Sequence, residues 1–162
     1  MHTGDCFLVP GPVRMSDACL QAMATPVMTA RGAEFRKVMA NLNSGLRYAF
    51  DLSPSKPEMK TQSWTGEDGY RVVVVSGSGT AAMEMVIANR FRNNDLVLVP
   101  TNGKFGERVA DICRQFCNVK QLQYEWGRSF DLYELEQQLE RGCYEALLIC
   151  HNETSSGITQ DA

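Results

Sequence analysis

Four consecutive valines, Val72 to Val75, run straight into Ser76-Gly77-Ser78-Gly79-Thr80, and no other feature constrains the fold of this chain as much. A β-branched run without polar alternation predicts a strand covered on both faces, the habit of parallel sheets sandwiched between helices. The same pattern returns downstream. Leu96-Val97-Leu98-Val99 predicts a second strand, Val119 to Tyr124 a third, and Ala146-Leu147-Leu148-Ile149-Cys150 a fourth. Between them, helical spacing predicts helices from Thr80 to Arg90 and from Gly106 to Phe116, and a third that ends near Arg141. The third opens on Asp131 and Glu134, a capping-box pair. Strand–helix–strand repetition predicts an α/β fold: three layers, a mainly parallel sheet, helices on both faces.

Upstream the pattern is helical. Ser16 is an expected N-cap for a short helix that Pro26 ends. Ala33 to Phe50 carries Phe35, Val38, Met39, Leu42 and Leu46 along one face of a longer helix. Residues Ser53 to Tyr70 are polar and broken by Pro54, Pro57, Gly66 and Gly69, an exposed loop. The expected organisation is therefore 1–52 as an N-terminal helical segment, 53–70 as loop, and 71–162 as the sheet-bearing part.

With 16 basic against 19 acidic residues the net charge is −3, and no lysine- or arginine-rich run occurs, so a nucleic-acid partner is not expected. No apolar stretch approaches the about 18 residues of a membrane span, and the first five residues lack a signal-peptide pattern. The expectation is a cytoplasmic protein with no membrane partner. Six cysteines, without a Cys-x-x-Cys pair or a histidine grouping, predict free, mostly buried thiols and no metal site.

Ligands on parallel sheets bind beyond the carboxyl ends of the strands, and three segments fall there. Ser76 to Ala82 combines glycines with a helix start, a backbone suited to a phosphate; Ser78 and Thr80 add hydroxyls. The plain alternative is a tight turn with no ligand. Phe105, between Gly103 and Gly106, offers a flat aromatic face where a core aromatic would lack packing neighbours. His151-Asn152-Glu153-Thr154-Ser155-Ser156-Gly157 brings hydroxyls and a carboxylate; the alternative is a polar loop in which Glu153 caps a helix or pairs with an arginine.

Taken in order, Ser76-Gly77-Ser78-Gly79-Thr80-Ala81-Ala82-Met83-Glu84, Asn102 to Arg108 and His151 to Gly157 resemble the corresponding segments of class V aminotransferases, enzymes of pyridoxal phosphate fold type I. Leu8 to Val13, Ala22 to Val27 and Arg31 to Phe35 resemble the same family's N-terminal part. The resemblance implies an incomplete large domain of that fold, with pyridoxal 5'-phosphate as cofactor. It implies that Ser78, Gly79 and Thr80 bind the phosphate, that Phe105 stacks on the pyridine ring, and that Thr154 bonds near the phenolic oxygen. Thr29-Ala30-Arg31 falls near the substrate pocket.

By the same resemblance the substrates are small amino acids and 2-oxo acids, and the complete enzyme is a homodimer. The family's pyridine-binding aspartate, Schiff-base lysine and carboxylate-binding arginine have no counterpart here. Lys37, Lys56, Lys60, Lys104 and Lys120 do not match the lysine position, so no catalytic residue is assigned and the chain alone is expected to be inactive. The alternatives are a non-catalytic phosphate- or nucleotide-binding α/β module and an inactive remnant. Absence of the following strands is expected to leave the last strand with a bare apolar edge.

Overall fold

The computed structural model describes residues 10–52 and 72–161. The loop expected at 53–70 lies outside the described residues, as do Cys6, Leu8 and Val9. Two compact units meet in sequence between Val75 and Ser76.

The first unit carries two helices. α1 (Asp17–Met23) starts where Ser16 accepts a hydrogen bond from the Cys19 amide, 3.3 Å. α2 (Ala33–Ala49) follows a turn at Thr29 to Gly32 and buries none of its residues. Along its expected apolar stripe Phe35, Met39 and Leu46 are half-buried, whereas Val38 and Leu42 are exposed.

The second unit is the α/β part. Its elements are α3 (Gly79–Arg90), β1 (Leu96–Thr101), α4 (Lys104–Cys113), β2 (Asn118–Gln123), α5 (Leu132–Arg141), β3 (Ala146–Leu147) and a hairpin of β4 (Asn152–Glu153) and β5 (Ile158–Thr159). β1 lies in the middle of a three-stranded sheet of order β2-β1-β3, parallel to both neighbours. Its pleat sends alternate side chains to opposite faces. Val97 and Val99 join Ile87 and Phe91 of the α3 segment and Ala110, Ile112 and Cys113 of α4 in one core. Leu98 joins Leu122, Phe130 and Leu135 of α5 on the other. Helices therefore cover both faces, which is why a run without polar alternation is stable at β1.

Two helix starts of this unit carry a local side-chain cap. Ser78 caps α3 by accepting from Ala81 N–H at 3.2 Å, and Asp131 caps α5 by accepting from Glu134 N–H at 3.1 Å.

Two expectations need correction. Val72 to Val75 form no strand, and Val73, Val74 and Val75 are exposed. A strand exists only by hydrogen bonding to a neighbour, and no described residue supplies one, so β-branched composition has nothing to act on. The ladder expected at 146–150 covers only Ala146 and Leu147, although the Leu148 amide still donates to Leu98 O at 2.9 Å. β3 pairs on one side only among the described residues, and Leu147 at its edge, with Leu132 and Leu139 of α5, lines an open apolar groove. The thiols divide as well: Cys113 and Cys117 are buried, Cys150 is half-buried, and Cys19 and Cys143 are exposed.

Leu98 is fully buried at the centre of the sheet. Leu98→Ala is expected to lower unfolding stability by about 2–5 kcal/mol, whereas Leu132→Ala, at a 54% exposed site, is expected to change it by roughly 0.5 kcal/mol or less. Urea titration of both variants checks the difference.

Candidate functional site

Two helices begin at the carboxyl end of the sheet, and their first turns differ in one decisive respect. α4 follows β1 directly through Asn102 and Gly103. Its N-cap, Gly103, has no side chain to offer. The cap comes instead from Glu153 in the hairpin beyond β3, which is wholly buried. Glu153 Oε2 accepts from the amides of Phe105 at 3.0 Å and Gly106 at 2.9 Å. Its Oε1 accepts from Ser155 N–H at 3.2 Å and Ser155 Oγ–H at 2.6 Å. Ser155 Oγ in turn accepts from the Lys104 amide at 2.8 Å. A Cβ at residue 103 would run into the Glu153 side chain, so only glycine allows this close approach.

Burial alone would raise the Glu153 pKa. The bonds from the Ser155 hydroxyl and from the Gly106, Ser155 and Phe105 amides outweigh it and hold the carboxyl below its usual value. Burial, then the charge and hydrogen bonding of Glu153, push the Cys150 thiol up to about 11. Burial chiefly, with Cys117 beside it, pushes Cys113 up to about 12. Neither thiol is a nucleophile at neutral pH.

The first turn of α3 carries no such internal anion. Ser78 takes one amide, that of Ala81, and no acceptor among the described residues takes those of Gly79 and Thr80. Among the described residues, an atom added at the Gly79 Cα meets nothing within 4 Å. Donors and the positive end of the helix dipole are left facing outward there, the arrangement that favours an anion.

Arg108, one turn into α4, joins the two helix starts. Its Nη1 donates to Thr80 Oγ1 at 3.3 Å, and its guanidinium carbon lies 5.3 Å from the centre of the Phe105 ring. Phe105 is 36% exposed, enough to present part of its ring outward.

The sequence-derived candidates fall as follows. Ser78, Gly79 and Thr80 form the start of α3, and Arg108 brings Thr80 and Phe105 together. Thr154 is exposed in the turn between β4 and β5, and its neighbours Glu153 and Ser155 both bond the first turn of α4. Thr29, Ala30 and Arg31 lead into α2 in the first unit. Arg108 was missed. Its signal was its place three residues after Phe105 on one helix, which sets both on the same face.

No family model matches the chain. An uncharacterized aminotransferase of Methanocaldococcus jannaschii is 30% identical over 153 residues, 93% of this chain and 36% of that protein. Among solved structures, an alanine–glyoxylate aminotransferase from Nostoc sp. superposes with a TM-score of 0.75 at 33% identity, covering 94% of this chain and 37% of its own. The chain is similar to about a third of the length of class V aminotransferases. The 42 kDa subunit of a soluble hydrogenase from Anabaena cylindrica is also similar, 30% identical over 159 residues, 96% of this chain and 37% of that subunit. The chain thus spans a little over a third of the length of the curated relatives it matches. The solved aminotransferases share its parallel sheet with covering helices, consistent with part of the α/β large domain of their fold.

Glu153 also makes stability depend on pH. Because its folded pKa is lowered, its contribution is complete above the ordinary carboxylate range and is lost as pH falls through the folded value. Glu153→Gln is expected to be less stable by roughly 1–3 kcal/mol at pH 7, and the gap is expected to narrow progressively as the pH falls below about 4. Denaturant titrations across pH 3 to 7 check this.

Proposed function

We propose that this chain is the cofactor-cradling part of a pyridoxal-phosphate-dependent aminotransferase that moves an amino group from a small amino acid to a 2-oxo acid. The observation that carries the proposal is the open first turn of α3, with free Gly79 and Thr80 amides, beside the partly exposed ring of Phe105. The residues fit the group. A dianion suits the two amides and the Ser78 and Thr80 hydroxyls, and an aromatic ring suits the Phe105 face. Thr154 would hydrogen-bond near the ring's phenolic oxygen.

When bound, pyridoxal phosphate supplies the electron sink that amino-group transfer needs. What this chain's residues contribute is holding and orientation. The α3 amides would hold the phosphate, and Phe105 would offer its ring face to the attached pyridine. Arg108 adds a positive charge between them, and Glu153 keeps α4 in place. The family's lysine position is not matched by any lysine of the 162 residues, so binding without turnover is expected of them alone.

The relatives favour this reading over a free-standing phosphate- or nucleotide-binding module. Alanine and glyoxylate, named for the Nostoc relative, are the first substrates to test in a complete enzyme. A cytoplasmic location and a homodimer with sites at its interface belong to the same proposal. Among the described residues no helix is long and apolar enough to cross a membrane.

Equilibrium dialysis against pyridoxal 5'-phosphate and unphosphorylated pyridoxal tests the assignment. The phosphate ester is expected to bind at least tenfold more tightly, and Phe105→Ala is expected to weaken it roughly three- to tenfold, the scale of a lost aromatic contact. Equal affinity for the two compounds would sink the proposal.

A further inference from the structure

Among the described residues Glu153 is the only charged side chain that is buried, and it is spent on a task a local residue usually performs. A serine, threonine or aspartate at position 103 would cap α4 from within its own turn. Glycine stands there instead, and a Cβ at that position would collide with Glu153, so the remote cap excludes the local one. A buried carboxylate is a costly way to close a helix, and a protein that uses one gains fixed geometry between distant segments. Here the two segments are the first turn of α4, at the end of β1, and the hairpin beyond β3.

The two amides bonded to Oε2 belong to Phe105 and Gly106, so the backbone that aims the Phe105 ring is held directly. The ring meets the Arg108 guanidinium, and Arg108 donates to Thr80 in the first turn of α3. A continuous series of contacts therefore runs from Glu153 through Phe105 and Arg108 to Thr80. The amides of Gly79 and Thr80 lie at the end of that series and are placed by α3 and its Ser78 cap, independently of Glu153.

We propose that Glu153 is a positioning residue for the ring-binding half of the site. It touches no ligand. It acts by holding Phe105, while the phosphate half at the start of α3 stands without it. The inference rests on the reading of α3 and Phe105 as the pyridoxal phosphate site, and it makes affinity for the ring and affinity for the phosphate separable.

The test uses the 162-residue chain, its Glu153→Gln and Ser155→Ala variants, and two probes. Pyridoxamine 5'-phosphate carries ring and phosphate and cannot condense with lysines; inorganic phosphate carries the anion alone. Calorimetry measures the first and phosphorus NMR titration the second, with far-UV circular dichroism to check folding.

Glu153→Gln is expected to weaken pyridoxamine 5'-phosphate about tenfold, the scale of lost charge-assisted hydrogen bonds, and to leave inorganic phosphate within twofold of the unaltered chain. Ser155→Ala keeps the carboxylate but removes the hydroxyl that donates to its Oε1 and accepts from the Lys104 amide, so the carboxylate is held less firmly on the Phe105 and Gly106 amides. This variant is expected to weaken the ring ligand about threefold with phosphate again unchanged, and it decides the matter if Glu153→Gln does not fold. Equal weakening of both probes, or no weakening of either, overturns the positioning role while leaving the cofactor site intact. Failure of the unaltered chain to prefer pyridoxamine 5'-phosphate over inorganic phosphate overturns the site itself, and the positioning role with it.

Discussion

Two parallel strands that leave a sheet side by side send their chains off in separate directions, and something must tie the departing segments together. In this chain the tie is a carboxylate. Glu153 reaches from the hairpin after β3 to the first turn of α4 after β1 and accepts four hydrogen bonds there and from Ser155. Removing its negative charge would leave the Phe105 and Gly106 amides competing for a weaker acceptor in a buried place, where unpaired donors are most costly. Core packing places the body of α4, and this contact holds its first turn, with the backbone of Phe105.

The same contact explains why the two helix starts at this edge are chemically different although a glycine stands at each. α4 has its anion built in, as a side chain of its own fold. α3 has only the neutral Ser78 cap and keeps free amides. Helix geometry offers the same donors at every N-terminus. Whether they are available to a ligand depends on what the rest of the chain places on them. The proposed cofactor site therefore owes its location as much to Glu153 filling one helix start as to the openness of the other.

Much of the fold was legible because it is local. The period of apolar residues placed α3, α4 and α5 within a turn or so, and the expected cap residues Ser16 and Asp131 are serving as caps. The α/β class followed from alternation, and the two-faced burial of Val97, Leu98 and Val99 is what an unbroken apolar run predicts. The valine run at 72–75 misled for an instructive reason. Composition expresses a preference for pleated, packed surroundings, and the described residues give that segment neither a hydrogen-bonding neighbour nor a cover. The stripe on α2 is real but only partly covered, for the same reason: amphipathic spacing states which face would be buried and cannot supply the partner.

At the site, the sequence by itself determined the chemical inventory: a glycine-rich helix start with hydroxyls, an aromatic residue between two glycines, and a polar segment after the last strand. It also carried the two readings of Glu153, as part of a ligand edge or as a helix cap. Only the tertiary structure decided between them, because a cap supplied from 47 or 48 residues away leaves no pattern in sequence spacing. It alone brought Arg108 between Thr80 and Phe105, a contact that requires α3 and α4 to pack with their first turns at the same end of the sheet. Local periodicity sets what each segment is. Which side chain ends up on which amide is set by packing, and packing is a property of the whole chain.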